Sequence, residues 1–475
     1  MKIKLTGHDY RYEVFQIVSL FFEKNQIEFC QEDAQLESVL DLENGYAEAN
    51  LDGKIEKVSL TEINKKNIKN AIKKSLLKIL EDYTGLKMPW GILVGIRPTK
   101  IVHEAIKNES SEEEIIEHLQ DDYMLSLEKA NLTLEVAKNE SKFLDKELKS
   151  IGLYIGIPFC PTRCAYCSFT SNPYRGNEKV VEEYLEALLY EVNNVLKYLN
   201  ENGYSFDTFY VGGGTPTSLN HTQLDKLIGE VSKYIDLNKL REFTVEAGRP
   251  DSIDAEKLKV LKNYSCSRIS INPQTMNEET LKLIGRRHSI DDIKEKFILA
   301  RELGFDNINM DIIIGLPGED ENSITRTMDE IEALMPDSVT IHTMAIKRAS
   351  VLNEKMFRGD RDLASRMYDI AAKRVRKMGM KPYYMYRQKS MVSPLENIGY
   401  SFDGKECIYN IQMIAENKTI IALGADAITK VVYQNENRIE RVANLKDVRE
   451  YIKRIDEQVK DKIIELEKLT HYCQI

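Results

Sequence analysis

The chain has 475 residues, too many for one ordinary domain, so two or three are expected. Apolar residues at 42% and charged residues at 30% exclude a disordered chain. No apolar run approaches the ~18 to 20 residues that span a bilayer, and a formal net charge of −10 argues against generic nucleic-acid binding.

The opening, MKIKLTGHDYRYEVFQ, reads as a short helix-like stretch and lacks the continuous apolar core of a secretory signal. A cytoplasmic location follows, where cysteines stay reduced and clustered ones read as metal ligands or catalytic groups. Strand-like alternation then runs over Val39 to Leu42, Tyr46 to Leu51 and Lys54 to Leu60, with Asp52-Gly53 as a hairpin turn. A helix follows, with Ile68, Ile72, Leu76, Ile79 and Tyr83 on one face and Lys65, Lys66, Lys69, Lys73, Lys74 and Lys78 opposite. That stripe reads first as a solvated face and second as a surface for an anionic partner. Together residues 1–150 form an expected α+β accessory domain.

From residue 151 to 388 strand-like and helix-like units alternate. Strands are expected at Gly152 to Ile157, Thr208 to Val211, Glu242 to Glu246, Arg268 to Ile271, Asn307 to Ile313 and Ser338 to His342. The clearest helix places Val181, Tyr184, Leu188, Val192, Val195 and Leu199 on one face. Such β-α units imply parallel strands with right-handed crossovers, either a doubly wound sheet or an incomplete barrel. In both, chemistry sits at the carboxyl ends of the strands. There the sequence puts its unusual residues: cysteines after the first strand, Gly212-Gly213-Gly214 after the second, Glu246 ending the third, Gln274 after the fourth and Asp311 within the fifth. Residues 389–475 read as a small α+β domain with the apolar run Thr419 to Gly424 and a final helix through Tyr451, Ile455, Val459 and Ile463.

Three of the seven cysteines fall within GIPFCPTRCAYCSF, at spacing C-x₃-C-x₂-C. Structural zinc normally takes four ligands, and the nearest histidines are the distant His103 and His221. A C-x-x-C redox pair leaves Cys160 unexplained. An iron–sulfur cube held by Cys160, Cys164 and Cys167 fits, because it leaves one iron open to a non-protein ligand. Cys30, Cys266, Cys407 and Cys473 are isolated and read as ordinary thiols.

These cysteines, with Tyr166 before the last, resemble the signature of the radical S-adenosylmethionine superfamily. YIGIPFCPTRCAYCSF, GGGTPT, RISINPQTMNEETLKLIGRRH and NMDIIIGLPGE resemble its oxygen-independent coproporphyrinogen III oxidase-like family, and WGILVGIRPTK the HemZ-type branch. The resemblance implies an α/β fold: a partial (β/α)₆ barrel between the N-terminal domain and a family-specific C-terminal one. It implies a [4Fe–4S] cluster on the three cysteines and one firm S-adenosylmethionine, whose amino and carboxylate groups chelate the open iron, with a second molecule as a further site. Tyr154, Gly213, Gly214, Thr215 and Glu246 would hold the first, with Glu246 accepting hydrogen bonds from a ribose or the methionine amine. Gln274, Arg286 and Asp311 would line the same mouth and face the second, and Ala345 would give a backbone contact only. GADA, Gly424 to Ala427, reads as a close-packed turn.

The implied reaction is oxidative decarboxylation of coproporphyrinogen III propionates to vinyls, fed by a reductant such as flavodoxin or ferredoxin. The alternatives are a haem-binding chaperone on the same scaffold, or a radical enzyme with another substrate. The sequence departs from the family in three places. Gly156 replaces a histidine, Phe169 stands where the oxidase has a cysteine, and Ala247-Gly248-Arg249-Pro250 shifts a proline by one place.

Overall fold

The computed structural model describes all residues except 96, 146, 168–171, 348–349, 355–356, 358 and 475, with side chains 353 and 354 also left aside. They group into two compact units: Met1–Lys138 with Tyr386–Lys389, and Asn139–Met385 with Ser390–Ile475.

The first unit holds β1 (Lys2–Thr6), β2 (Glu28–Phe29), β3 (Leu36–Asp41), β4 (Tyr46–Leu51) and β5 (Lys54–Ser59), in sheet order β2-β1-β3-β4-β5. Asp52 and Gly53 both take positive φ, at 50° and 86°, as a tight hairpin whose twist suits its strands requires. The opening differs from expectation. Lys2–Thr6 is a strand, paired in parallel with β3 through Ile3 and Leu36, and the helix begins only at Arg11. A partner more than thirty positions away leaves no local signal.

The helix Lys65–Thr84 buries Ile68, Ile72, Leu76 and Ile79, but Tyr83 is exposed in the last turn before Gly85. Its lysines are not uniformly solvated. Lys69 pairs with Glu13, Lys74 with Asp122 at 3.6 Å, and burial lowers the pKa of Lys73.

The second unit is built on β6 (Ser150–Ile157), β7 (Phe159–Cys160), β8 (Asn172–Pro173), β9 (Ser205–Gly213), β10 (Glu242–Glu246), β11 (Arg268–Ser270), β12 (Ile308–Ile314), β13 (Ser338–Thr343), β14 (Lys381–Tyr386), β15 (Asn397–Ser401), β16 (Ile420–Leu423), β17 (Ile428–Tyr433) and β18 (Arg438–Ala443). The six strands β6 and β9 to β13 lie side by side, all parallel and in chain order. A doubly wound sheet would reverse direction at a switch point; an unbroken order means every crossover winds the same way, as in a barrel. The ring stays open, because β13 next meets antiparallel β15 and β6 next meets β16. The fold is a partial (β/α)₆ barrel. Its strands are apolar on both faces: β6 is buried at every position but Tyr154.

The C-terminal residues lie in the same unit and sheet as the barrel. The apolar run Thr419 to Gly424 becomes β16, with Ile420 beside Gly152 and Leu423 beside Ile155. The expected final helix is two, Val448–Lys453 and Ile455–Tyr472, broken at Arg454. The buried face of the second carries Lys462 and Glu465 as well as Leu466 and Leu469, which blurs the apolar period. Among the described residues no helix is long and apolar enough to cross a membrane.

Candidate cofactor site

β6 ends at Ile157, and after Pro158 the short β7 pairs with β8 across the base of the cysteine loop, Phe159 opposite Asn172 and Cys160 opposite Pro173. The glycine turn after β9 closes onto this segment. Gly214 N donates to Ile157 O at 2.8 Å, Thr215 N to Phe159 O at 2.8 Å, and Thr215 Oγ1 to Cys160 Sγ at 3.4 Å. Gly213 has φ +105°, and a Cβ there would lie 3.1 Å from Ile157 N. A Cβ on Gly214 would lie 2.7 Å from Phe159 O and 3.0 Å from Cys160 Sγ. These glycines let two stretches of backbone meet and seat a cysteine. Their first duty is thus toward the chain itself. Gly214→Ala is expected to displace Cys160 and lower the iron content of reconstituted protein, read by iron analysis against a thermal melt.

Cys164 is buried, Cys160 and Cys167 partly so. Cys167 N donates to Cys164 O at 3.1 Å, Ala165 N to Ile284 O at 2.9 Å and Thr162 Oγ1 to Gly285 O at 3.0 Å, so the loop is tied to the segment after the fourth barrel strand. Arg249 Nη1 approaches Cys164 Sγ at 3.6 Å, and Arg286 Nη2 reaches Tyr166 Oη at 3.4 Å. Phe169 lies outside the described residues. Burial pushes the Cys160 thiol pKa up, Thr215 opposes this, and Cys164 and Cys167 add to it by charge, so the three groups feel one another. Iron reverses that balance, since metal binding displaces thiol protons. Among the described residues no group of His, Cys, Asp and Glu could hold a single metal ion. A cube carries its irons at separate corners, so its thiolates need not converge on one point. Three neighbouring soft donors and no fourth fit such a cluster.

Tyr210 and Tyr409 stack on each other with centroids at 4.3 Å, and Tyr154 lies beside this pair at 6.2 Å and 6.1 Å. Its hydroxyl lies 3.3 Å from the Cβ position of Gly213. Glu246 ends β10 and accepts from Tyr210 Oη at 2.6 Å. Burial, reinforced by Asp311, pushes its pKa up to about 7, against the Tyr210 hydrogen bond. Tyr154, Gly213 and Glu246 therefore meet on three adjacent strands.

Gln274 holds a φ of +66° after β11, its N donating to Asp311 O at 2.9 Å, and its buried Oε1 has no hydrogen-bond partner. Such an orphaned acceptor suits a donor from a bound molecule. Asp311 accepts from Asn309 Nδ2 at 2.7 Å and faces His342 Nε2 at 3.6 Å; burial works to raise its pKa, but His342 and its hydrogen bonds hold it low. Arg286 and Asp311 meet through Asn272, whose Oδ1 accepts from Asp311 N at 3.1 Å. The Arg286 guanidinium bonds the carbonyls of Asn272 and Gly248 and leans toward the cysteine loop. Ala345 follows β13 in an isolated antiparallel bridge with Met391. The Gly424 turn is close-packed: φ is +101° and a Cβ would lie 2.5 Å from Gly156 O.

Sequence reasoning missed Arg249, Tyr210 and Tyr409. Tyr210 lay inside the continuously buried run of β9, and Arg249 stood in the segment where the proline is displaced. Tyr409 gave no signal, since the helix Ile408–Ala415 arrives from the far C-terminal region.

The radical SAM superfamily pattern matches residues 154–331. The chain is 38% identical over 493 residues to the oxygen-independent coproporphyrinogen-III oxidase-like protein HemZ of Bacillus subtilis, covering 99% of this chain and 98% of that one. Similarity to the heme chaperone HemW of Bacillus subtilis is 34% over 236 residues, covering 48% of this chain and 61% of the chaperone. Coproporphyrinogen III oxidase (HemN) of Escherichia coli, described as a radical SAM enzyme, shares the fold with a TM-score of 0.54 at 21% identity, covering 68% of this chain and 73% of that one. The superfamily uses a [4Fe–4S] cluster and S-adenosylmethionine, and the thiols and polar rim described above fit both. With its barrel, its cysteine loop and an end-to-end relative in agreement, the chain belongs to the oxygen-independent coproporphyrinogen III oxidase-like family of the radical SAM superfamily, in the HemZ-type branch.

Proposed function

We propose that this chain carries out oxygen-independent oxidative decarboxylation of two coproporphyrinogen III propionates to vinyls, giving protoporphyrinogen IX. The observation that carries the reading is the meeting of the cysteine loop, the Gly213 turn, Tyr154 and Glu246 on the carboxyl ends of three adjacent parallel strands. Bound there, the cluster and S-adenosylmethionine supply the electron transfer and the hydrogen-abstracting chemistry. Each propionate loses a β-hydrogen, carbon dioxide and one further electron, which goes to an acceptor. A flavodoxin or ferredoxin is the expected reductant, and a cytoplasmic location, where thiols stay reduced, completes the proposal.

In this reading Cys160, Cys164 and Cys167 hold the cluster. Thr215 seats Cys160, while Tyr154 and Glu246 orient the first cofactor molecule. Gln274, Asp311 and the Ala345 backbone offer polar groups toward a second molecule or a propionate-bearing substrate. Arg286 steadies the loop through Tyr166 Oη. Residues 1–150, 151–388 and 389–475 remain our proposed functional blocks, the first for a task distinct from the barrel's.

A carboxylate with a pKa near 7 ionises across the physiological range, and its ionised form accepts hydrogen bonds from an ammonium or ribose more strongly. S-adenosylmethionine affinity is therefore expected to weaken about tenfold per pH unit below that pKa, where the carboxyl is protonated, and to level off above it. Glu246→Gln flattens the profile. Isothermal titration from acid to alkaline pH reads this, and an unchanged profile in the variant contradicts the role.

The HemW likeness favours a second reading, haem capture and transfer. Anaerobic incubation of reconstituted protein with coproporphyrinogen III, S-adenosylmethionine and dithionite, followed by mass analysis, separates the two. Vinyl products support the oxidase; stoichiometric haem binding without turnover supports the chaperone.

A further inference from the structure

The segment after Glu246 puts a guanidinium against the cysteine loop. Arg249 is 3% exposed, a costly place for a full charge unless its donors are matched. One edge is held in a two-point ion pair with Asp251, Nε to Oδ1 at 2.9 Å and Nη2 to Oδ2 at 2.8 Å. The other edge faces the loop: Nη2 to Thr162 Oγ1 at 3.1 Å, Nη1 to Thr162 O at 3.2 Å, and Nη1 to Cys164 Sγ at 3.6 Å. His288 stands near Asp251, its Nδ1 3.8 Å from Oδ1, too far for a hydrogen bond. Hydrogen bonds and positive charge at a ligand sulfur stabilise the reduced cluster, the state with the extra negative charge.

We propose that Arg249, clamped by Asp251, is a positioning residue for the cluster that fixes Thr162 and donates to the Cys164 sulfur, raising the cluster's reduction potential. The inference rests on the cysteine trio holding a cluster. A planar fork serves this better than a lysine, because one edge can grip the carboxylate while the other reaches loop and sulfur together. The charge partly cancels against Asp251, so the directed N–H to sulfur is the larger influence.

The test uses the full chain, reconstituted anaerobically, with iron counted and the midpoint potential followed by electron paramagnetic resonance in the absence of S-adenosylmethionine. Arg249→Met is expected to keep its iron and shift to a more negative potential. Arg249→Lys, which keeps the charge but loses the fork, is expected to fall between. An unchanged potential in a Met variant with full iron overturns the inference. If the Met variant fails to fold, the Lys variant decides: a potential more negative than wild type supports the directed bond, and the wild-type value overturns it. Wild-type protein that binds no cluster refutes instead the reading on which the proposal rests.

Discussion

Alanine at Cys160, Cys164 or Cys167 is expected to leave reconstituted protein with little iron or sulfide, against about four of each per intact chain. The trio has no spare. Cys30, Cys266, Cys407 and Cys473 are remote in sequence, and Cys266 and Cys407 are buried in settings that raise their thiol pKa values, Cys266 to about 12. Both sulfurs are engaged elsewhere, Cys266 with the carbonyls of Phe243 and Arg268 and Cys407 with Glu242 Oε1. The three variants differ in their secondary effects. Cys160→Ala removes the sulfur that Thr215 contacts, and Cys164→Ala the sulfur facing Arg249. Cluster absorbance and iron analysis on all three check the expectation, and full retention in any of them contradicts the assignment of that ligand.

Lys462→Met is expected to cost about 3–5 kcal/mol of stability, because it strands a charge in the core. The side chains of Lys462 and Glu191 are both 0% exposed. Lys462 Nζ donates to Glu191 and to Ala422 O at 2.6 Å. Glu191 in turn accepts from Gly424 N at 2.8 Å, Tyr451 Oη at 2.6 Å and Asn444 Nδ2 at 2.8 Å. This network carries the Gly424 turn, which abuts Gly156 four residues before Cys160, and Tyr184 Oη ties to Gly156 O at 2.6 Å. Urea denaturation reads the loss as a lower midpoint. The double variant Glu191→Gln with Lys462→Met is expected to recover part of it, since removing both charges removes the stranded one. A single variant as stable as wild type shows that the pair contributes nothing.

The parts of this molecule that announced themselves were those whose cause is local. The six barrel strands showed as short apolar runs because both faces are covered, and their helices by a clean apolar period. Asp52-Gly53 named its own turn. The cysteine spacing carried most of the chemistry. The parts that stayed hidden depend on distant partners. β1 is a strand because β3 lies beside it, and β16 because it docks on β6 from more than 260 positions away. The break at Arg454 was masked by a helix face that mixes Lys462 and Glu465 with leucines. Gly156 gains a reason only in three dimensions. A Cβ there would press to 3.3 Å on the Tyr154 ring, so its absence leaves that ring room beside the stacked pair of Tyr210 and Tyr409. The order of Gln274, Arg286 and Asp311 carried no sign of their partners: Arg286 and Asp311 both bond Asn272, and the guanidinium also reaches Tyr166 of the cysteine loop.

Coproporphyrinogen III carrying deuterium on its propionate β-carbons, incubated anaerobically with the reconstituted protein, S-adenosylmethionine and a reductant, tests most directly whether this site acts on a tetrapyrrole. The expected result is deuterium in the 5′-deoxyadenosine recovered by mass analysis, rising in step with vinyl product and absent in the Cys164→Ala variant. Unlabelled 5′-deoxyadenosine, or none at all while haem is bound stoichiometrically, would contradict the proposed reaction.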